Sequence, residues 1–330
     1  MQSKQKNPQQ VVTTKRNKTR EYTILLPPSF VLAAGEVLQQ SYIKLRQYGD
    51  PANPAVIVSG GVSASRAVAD SADETGWWRQ IVAKNGAIDL NRFCVIGFDF
   101  LPNPQETART ISTHDQARAL LCALDILKIT NIHAFVGASY GGMVALAFAS
   151  LAPKRISRLC VLSAADRAHP AATALRGVQR RIIAFAQDHD AAGEGVALAR
   201  QLAMFSYRTP EEFAERFGAR PEGMAGAPFD VCKYLIARGD AYEMSAARYL
   251  ALSDSLDRHN IDASCIHTNS LLIAINSDFL VPLESMRRLY RILPQAKLIE
   301  LTSLYGHDAF LKEQTSIGPQ IKQFIERQIR

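Results

Sequence analysis

One short stretch of the chain combines residue types that suit nucleophilic chemistry. Residues 132–136 form an apolar run typical of a buried strand, and the motif GASYG follows directly at 137–141. An alanine-rich apolar stretch typical of a helix comes next. In the order strand, G-x-S-x-G, helix, this motif predicts a sharp turn that holds the serine hydroxyl above the edge of a sheet. Ser139 is therefore the predicted nucleophile.

The same turn predicts an oxyanion hole. The backbone N–H of Tyr140 and the positive end of the following helix point to the place where charge develops on a reacting carbonyl. A second donor must come from a backbone that approaches closely, which glycine permits. Gly60 and Gly61 directly follow an early apolar strand at 55–58, and Gly60 is the predicted second donor. A plain strand-to-helix turn is the alternative interpretation of these glycines.

An acid and a histidine complete the pattern further along the chain. Asp278 follows a predicted strand at 270–275, and His307 follows another at 297–301. The order Ser, Asp, His is that of the α/β-hydrolase arrangement. A histidine base takes the proton of the serine, and the carboxylate fixes the tautomer of the histidine and stabilises its cation. Because each residue follows a strand end, Ser139, Asp278 and His307 are predicted to form a catalytic triad.

The surrounding elements fit that arrangement. Strands and helices alternate from residue 55 to residue 165, which predicts a parallel sheet covered by helices on both faces. The pattern then changes to successive amphipathic helices with few β-branched residues. The predicted architecture is an α/β-hydrolase fold, with a mostly parallel core at 21–168 and 264–330 and an inserted helical lid at 169–263.

The net charge of +7 over 330 residues is concentrated at one end. Residues 1–20 hold six basic side chains and no acidic one, so the remainder of the chain carries a net charge of about +1. This segment is predicted to be a solvated, flexible tail, and no nucleic-acid partner is expected.

Membrane and metal partners are not expected either. No apolar run approaches the ~20 residues that span a bilayer, and no N-terminal apolar segment indicates secretion. The five cysteines are scattered without paired spacing, and no Cys/His cluster indicates a metal site. The predicted location is the cytoplasm.

Beyond the triad, four longer motifs resemble those of the homoserine O-acyltransferases, a family with the α/β-hydrolase fold. They are STHDQARAL at 112–120, GASYGG at 137–142, INSDFLVP at 275–282 and YGHDAFL at 305–311. The resemblance covers most of residues 50–330. It implies ping-pong acyl transfer from acyl-CoA to homoserine in methionine biosynthesis, with no cofactor because acyl-CoA is a substrate. It also implies a homodimer formed through the lid helices.

The resemblance assigns further residues. The acid after the catalytic histidine, here Asp308, binds the amino group of the substrate. An arginine in a Q-R-x-x-I context binds its carboxylate, which selects Arg180 ahead of Arg181. Many members carry methionine where this chain has Tyr140, and a leucine–threonine loop where it has Ser59-Gly60-Gly61. Glycine in that loop widens the acyl pocket, and Arg66 just beyond is a candidate partner for a second carboxylate, which favours succinyl-CoA as donor.

Several alternatives stay open. Acetyl-CoA is the other candidate donor, and serine is an alternative acceptor that would serve cysteine synthesis. A serine esterase would use water as acceptor instead. A protein without catalytic activity on the same fold is the remaining alternative.

Overall fold

The computed structural model describes residues 11–16, 19–38, 41–104, 110–218, 226 and 229–327. The strands of these residues are β1 (Val11–Arg16), β2 (Thr19–Leu25), β3 (Tyr42–Tyr48), β4 (Ala55–Ser59), β5 (Val82–Ala83), β6 (Ile88–Asp89), β7 (Cys94–Phe98), β8 (Ala134–Ala138), β9 (Arg158–Leu162), β10 (Asn269–Ile275) and β11 (Ala296–Leu301). The α-helices are α1 (Thr113–Ile126), α2 (Tyr140–Leu151), α3 (Pro170–Gln187), α4 (Ala192–Ser206), α5 (Pro210–Arg216), α6 (Asp230–Asp240), α7 (Ala246–Arg258), α8 (Leu283–Ile292), α9 (Ala309–Lys312) and α10 (Gln314–Glu326).

One large sheet organises the core. Its strand order is β1-β2-β3-β7-β4-β8-β9-β10-β11, while β5 and β6 form a separate short pair. Strands β1, β2, β3 and β7 pair antiparallel in succession, and every pairing from β7 to β11 is parallel. The predicted fold class, a mostly parallel sheet of the α/β-hydrolase type, is confirmed.

The central strands are buried on both faces, which explains their continuous apolar sequences. Because side chains alternate along a strand, Val56 and Val58 of β4 pack on one face and Ile57 on the other. The first face is covered by residues of α10, including Ile321. The second is covered by α1, α2 and α8, with Phe148 of α2 fully buried there.

The N-terminal segment differs from its prediction. Residues 11–16 form edge strand β1, which pairs antiparallel with β2 from Val11 opposite Ile24 to Arg16 opposite Thr19. The run Val11–Thr14 consists of β-branched residues, which suit a pleated sheet, and this preference outweighs the basic character of the segment. The predicted flexible tail at 1–20 is therefore wrong for residues 11–16, 19 and 20, whereas residues 1–10, 17 and 18 lie outside the described part of the chain.

Helices α3 to α7 lie between β9 and β10 in the chain, where the sequence predicts the lid. Helices α3 and α4 approach closely at Gly195, where an added Cβ would lie 2.5 Å from the Cβ of Ala186. Ile183, Val196, Ala199 and Tyr249 form a small apolar cluster of their own within this layer. No described helix is both long enough and apolar enough to cross a membrane.

Candidate active site

Ser139 occupies a sharp turn between a strand and a helix. Strand β8 ends at Ala138 and helix α2 begins at Tyr140, so Ser139 is the single residue between them. Its backbone has φ 54° and ψ −123°, a conformation that is unfavourable for a residue with a side chain. Strain of this kind persists where the surrounding structure fixes the backbone, and it is concentrated at functional sites.

The glycines on either side of Ser139 make this turn possible. A Cβ on Gly137 would lie 2.4 Å from the carbonyl oxygen of Gly141. A Cβ on Gly141 would lie 2.6 Å from the carbonyl oxygen of Ser59 at the end of β4. Real side chains do not approach backbone atoms this closely, so the turn requires glycine at both positions.

His307 lies between Ser139 and Asp278. Its Nε2 is 2.8 Å from Oγ of Ser139, and its Nδ1 is 2.8 Å from Oδ2 of Asp278. Oδ1 of Asp278 accepts hydrogen bonds from the backbone N–H groups of Leu280 and Val281, at 2.9 and 3.0 Å. His307 and Asp278 are both buried. The structure thus brings the three predicted triad residues together in hydrogen-bonding geometry.

The electrostatic environment of His307 suits a general base. Burial by itself lowers the pKa of His307, but the neighbouring Asp278 carboxylate opposes this through its charge and its hydrogen bond. Burial is the largest single contribution, but the two contributions of Asp278 and the charge of Asp308 together outweigh it, so the pKa of His307 lies above its ordinary value of 6.5. Asp278 therefore favours the imidazolium that forms when His307 takes a proton from Ser139.

The two predicted oxyanion donors, Tyr140 and Gly60, have different surroundings in the structure. Tyr140 begins helix α2, so its N–H lies at the positive helix end beside Ser139. A Cβ on Gly60 would meet the ring of Trp77 at 2.8 Å, so Gly60 packs against that ring. A Cβ on Gly61 would lie 3.9 Å from Oγ of Ser139, and Gly61 lines the cavity beside the nucleophile. Gly60 therefore stays a prediction as second donor, and the neighbouring Gly61 is the glycine that lies nearer to the nucleophile.

A cavity of about 470 Å³ opens above Ser139 and His307. Loops of the core line one side, and helices α3, α4, α6 and α7 contribute residues to the other. Apart from histidines, the ionisable acidic and basic residues that line it are Arg167, Arg176, Arg200, Arg208, Arg238, Lys312 and Asp308.

Asp308 and Arg208 bring opposite charges to this cavity. The Asp308 carboxylate lies 3.5 Å from Nη2 of Arg208, and the two side chains are only 13% and 6% exposed. Burial raises the pKa of Asp308, and the charges of Arg208 and His307 partly oppose that effect. Arg208 also pairs with buried Glu212. The cavity therefore presents a cation and an anion side by side, close to the triad.

Sequence patterns did not single out Arg208. It lies in the short connection between α4 and α5, where Oγ1 of Thr209 accepts a hydrogen bond from the N–H of Glu212 and begins α5. Thr209-Pro210 is a recognisable helix start, so a loop position for Arg208 could have been predicted. The direction of the Arg208 side chain could not have been predicted, because it depends on how α4 packs on the core.

Arg180 does not line the cavity, and Arg176 does. Nη1 of Arg180 lies 2.6 Å from Oδ2 of Asp257 on α7 and donates a hydrogen bond to Oγ of Ser253 at 2.9 Å. Arg176, one helical turn earlier on α3, is buried and lies 2.6 Å from Oδ1 of the same carboxylate. Arg181 is exposed. Arg180 thus shares a lid carboxylate with Arg176 and contacts cavity-lining Ser253 without lining the cavity itself, and its contact with the substrate stays a prediction.

Arg66 binds two carboxylates of the core. Its Nε lies 2.7 Å from Glu21 on β2, and its Nη1 lies 2.7 Å from Asp99, which follows β7. The backbone N–H of Arg66 also donates to Asp99, at 2.8 Å. Arg66 is not among the cavity-lining residues. Its predicted role as partner of an acyl carboxylate is therefore wrong, because both of its charged contacts are made to the core.

The fold and the site together define an enzyme of the α/β-hydrolase class, and comparison with known proteins narrows this. A family described as alpha/beta hydrolase fold matches residues 54–314. A homoserine O-succinyltransferase of Xanthomonas campestris pv. campestris is 44% identical over 266 residues, covering 79% of this chain and 72% of that protein. A serine O-succinyltransferase of Litchfieldella anticariensis is 30% identical over 342 residues, covering 88% and 92%.

A solved structure shows the same fold. The homoserine O-acetyltransferase from Bacillus anthracis superposes with a TM-score of 0.86 at 17% identity, covering 96% of this chain and 100% of that one. The chain belongs to the homoserine O-acyltransferase family of the α/β-hydrolase fold.

Proposed function

We propose that the protein transfers an acyl group from acyl-CoA to the hydroxyl of homoserine through an acyl-Ser139 intermediate, with succinyl-CoA as the favoured donor. One observation carries this proposal. The triad opens into a cavity where a buried carboxylate and a buried guanidinium, Asp308 and Arg208, lie together beside His307. This pairing suits a zwitterionic amino acid, whereas the hydrolysis of apolar esters has no use for it.

In the first half-reaction, Oγ of Ser139 attacks the thioester carbonyl while Nε2 of His307 takes the hydroxyl proton. The N–H group of Tyr140, together with that of Gly60 or the neighbouring Gly61, stabilises the oxyanion. The carbon–sulfur bond then breaks, and the departing CoA sulfur receives the proton from His307. The product is an ester on Ser139 and free CoA. No cofactor takes part, because acyl-CoA is consumed as a substrate.

In the second half-reaction, the homoserine hydroxyl replaces water as the attacking group. His307 takes the proton of that hydroxyl as its oxygen attacks the acyl-serine carbonyl. The bond between that carbonyl carbon and Oγ of Ser139 then breaks, and Ser139 recovers its proton from His307. The lid helices must keep water from the ester during this interval, since water is a competing acceptor.

The acceptor is held by its two charged groups. Arg208 binds the α-carboxylate, because a guanidinium matches the planar geometry of a carboxylate. Asp308 binds the α-ammonium, and Glu212 behind Arg208 holds the guanidinium in place. This arrangement fixes the amino-acid end and leaves the hydroxyl end free to reach the acyl-serine. The serine O-succinyltransferase relative supports serine as the alternative acceptor.

Arg176 supports a dicarboxylic acyl group. It lines the cavity from α3, beside Gln179 on the same helix and Ser253 on α7, and it is buried. Its contact with Asp257 occupies Nε and Nη2, which leaves Nη1 for a ligand. The free carboxylate of a succinyl group suits this position, whereas an acetyl group has no charge to place there. The homoserine O-succinyltransferase relative agrees with this donor.

A grid of two donors and two acceptors tests the function. CoA release is measured with succinyl-CoA or acetyl-CoA, each with homoserine, serine or no acceptor. We expect the highest kcat/KM with succinyl-CoA and homoserine, slow release without an acceptor, and a mass increase on Ser139. Equal release with and without an amino acid would instead assign a hydrolase. Ser139→Ala should gain no mass, and a wild-type protein that gains none would exclude the acyl-serine mechanism.

We also propose a cytoplasmic homodimer. Large apolar side chains are exposed on two lid helices. On α3, Val178 is 50% exposed and Phe185 67%; on α4, Leu198 is 52% exposed and Phe205 58%. A partner subunit would cover this apolar surface. The five cysteines are all unpaired, which suits a reducing compartment. Light scattering should give twice the chain mass for the wild type and the chain mass for a Val178→Asp, Phe185→Asp variant, and a monomeric wild type would refute the dimer.

A further inference from the structure

The cavity carries more positive charge than the described residues neutralise. Three of its six cations have a carboxylate partner: Arg167 pairs with Asp166, Arg176 with Asp257, and Arg208 with Glu212. The other three are Arg200, Arg238 and Lys312, none of which forms an ion pair with a described residue, although the charge of Arg200 also acts on Asp308 and opposes the rise in its pKa. Lining residues with unneutralised positive charge indicate an anionic ligand.

Lid packing places Arg200 and Arg238 on two adjacent helices that line the same cavity. Helix α6 packs against α4 at Gly239, where an added Cβ would lie 2.6 Å from the carbonyl oxygen of Ala197. Arg238 is adjacent to that contact on α6, and Arg200 follows it by one turn on α4. The guanidinium of Arg200 is held over the ring of Tyr242, 4.6 Å from the ring centroid. This contact positions one of the two cations before any ligand binds.

Lys312 approaches from the core side. It is the last residue of α9, which begins two residues after His307, and its side chain is exposed. Tyr242, which supports Arg200, shares a hydrogen bond of 3.0 Å with Oγ of Ser63 in the loop beside the nucleophile. Core and lid thus each contribute an exposed cation, Lys312 and Arg238, to the cavity that also contains Ser139 and His307.

We propose that Arg200, Arg238 and Lys312 bind the diphosphate and the 3′-phosphate of CoA; this inference rests on the proposed function. The thioester must reach Ser139, while the strongly anionic nucleotide end stays near solvent. A flexible pantetheine arm connects the two ends through the cavity. Arginine forks and a lysine ammonium are the groups that proteins use for phosphate oxygens. The site makes the donor a CoA ester rather than a simple thioester or an oxygen ester.

Donor truncation combined with charge removal tests this site. Lys312→Ala, Arg238→Ala and the double variant are assayed with acyl-CoA, acyl-dephospho-CoA and the S-acyl-N-acetylcysteamine, which carry the same acyl group. Lys233→Ala is the matched control, because Lys233 lies on α6 outside the cavity and pairs with Asp230. Thermal melting confirms that each variant is folded.

We expect each single variant to raise KM for acyl-CoA about 3- to 10-fold with little change in kcat, as partly exposed charge pairs allow. With acyl-dephospho-CoA, which lacks the 3′-phosphate, the same substitutions should raise KM less. With the N-acetylcysteamine donor, which lacks all the phosphates, they should leave KM unchanged. Lys233→Ala should match the wild type with every donor. Added salt should raise the wild-type KM for acyl-CoA more than that of the double variant.

Two results would overturn the site. Either the cation variants keep the wild-type KM for acyl-CoA, or they lose affinity equally for all three donors. In both cases wild-type transfer from acyl-CoA would leave the proposed function intact. A wild type that transfers from none of these donors would refute the function itself, so the two failures are distinguishable.

Discussion

The hydroxyl of Tyr140 lies 2.7 Å from the hydroxyl of Ser255, and both residues are fully buried. Tyr140 follows the nucleophile directly, whereas Ser255 belongs to lid helix α7. Nε2 of Gln116 donates to the same phenol oxygen, at 3.2 Å. Burial raises the pKa of Tyr140 to about 12, so the phenol remains a neutral donor. These bonds link the turn at Ser139 to the lid helix whose Asp257 holds Arg176.

Removing this hydroxyl should affect both stability and donor binding. In Tyr140→Phe, the buried polar groups of Ser255 and Gln116 lose a partner, which should cost about 1–3 kcal/mol of unfolding free energy in urea. Because α7 then shifts relative to the turn, KM for the acyl donor should rise more than KM for homoserine.

The matched control is Tyr22→Phe, which removes a hydroxyl bonded to Gln47 in the edge strands, away from the cavity. It should leave both KM values unchanged. Wild-type donor kinetics in Tyr140→Phe, or the same donor effect in Tyr22→Phe, would contradict a positioning role for the Tyr140 hydroxyl.

Asp278→Asn tests the balance that sets the pKa of His307. The Asp278 carboxylate holds the pKa of His307 above 6.5 against the opposing effect of burial. His307 must be neutral to accept the serine proton, so kcat/KM should fall as the pH drops through this raised pKa. Without the carboxylate charge, that acidic limb should move to lower pH, while kcat falls by roughly 10³- to 10⁴-fold.

The pH profiles of wild type and variant, measured with saturating homoserine, decide the matter. A limb that stays at the same pH in Asp278→Asn would mean that another group controls it. Retention of wild-type kcat would remove Asp278 from the mechanism, despite its 2.8 Å contact with His307.

The sequence predicts the catalytic core well because its signals are local. Ser139 is recognised by the glycines beside it and by the strand and helix around it, all within a short segment. Asp278 follows the buried apolar strand β10, and His307 follows the edge strand β11, which contains Lys297 and Glu300. Parallel strands bring their carboxyl ends to one edge of the sheet. The alternation of strands and helices then gives the sheet, without any knowledge of side-chain partners.

The arginine contacts that the sequence did not predict depend on distant partners. Arg66 meets Glu21, which is 45 positions away, and Arg180 meets Asp257, which is 77 positions away. An arginine in a helix or loop looks the same in sequence whether it binds a substrate or a carboxylate of the fold. Arg208 was missed for the same reason, since only the folded structure places its guanidinium beside Asp308, the residue after His307. Likewise, β-branched Val11–Thr14 becomes a strand because β2 is available to pair with it.

Asp308→Asn should weaken the binding of the acceptor without slowing the formation of the acyl-enzyme. The change keeps the size of the side chain and removes the charge that holds the ammonium group. We expect KM for homoserine to rise about 10- to 100-fold, as for loss of a hydrogen bond to a charged group. CoA release in a single turnover without acceptor should stay within about 3-fold of the wild type, since a change of this size is under one kcal/mol.

A pH series adds a second readout on Asp308. Burial raises the pKa of this carboxyl, so it takes up a proton at higher pH than an ordinary aspartate. The wild-type KM for homoserine should therefore rise as the pH is lowered, and Asp308→Asn should show a flatter dependence. If Asp308→Asn left KM for homoserine unchanged at neutral pH, the acceptor site would have to lie elsewhere.

One buried histidine outside the triad makes the stability of the protein depend on pH. His259 is buried, with Nδ1 2.8 Å from Oγ1 of Thr113 and Nε2 3.0 Å from the carbonyl oxygen of Ala165. Because Nε2 donates to a carbonyl, Nδ1 accepts the hydroxyl proton of Thr113, and the ring is neutral. Burial lowers the pKa of His259 to about 3. The unfolded chain instead takes up a proton near the ordinary value of 6.5. Between these two values the unfolded state binds the extra proton, so stability falls as the pH is lowered through that window, by up to about 1.4 kcal/mol per pH unit.

His259→Gln separates this effect from the other acid-sensitive groups, because glutamine can donate to Ala165 and accept from Thr113 without a titrating ring. We expect the variant to be about 1–2 kcal/mol less stable than the wild type at pH 7, from imperfect packing of the replaced ring. In urea titrations from pH 7 to pH 4.5, the wild type should lose stability faster, so the two curves converge and then cross. Parallel curves would show that His259 takes up no extra proton on unfolding, which would require the folded protein to admit a charged imidazolium between Thr113 and Ala165.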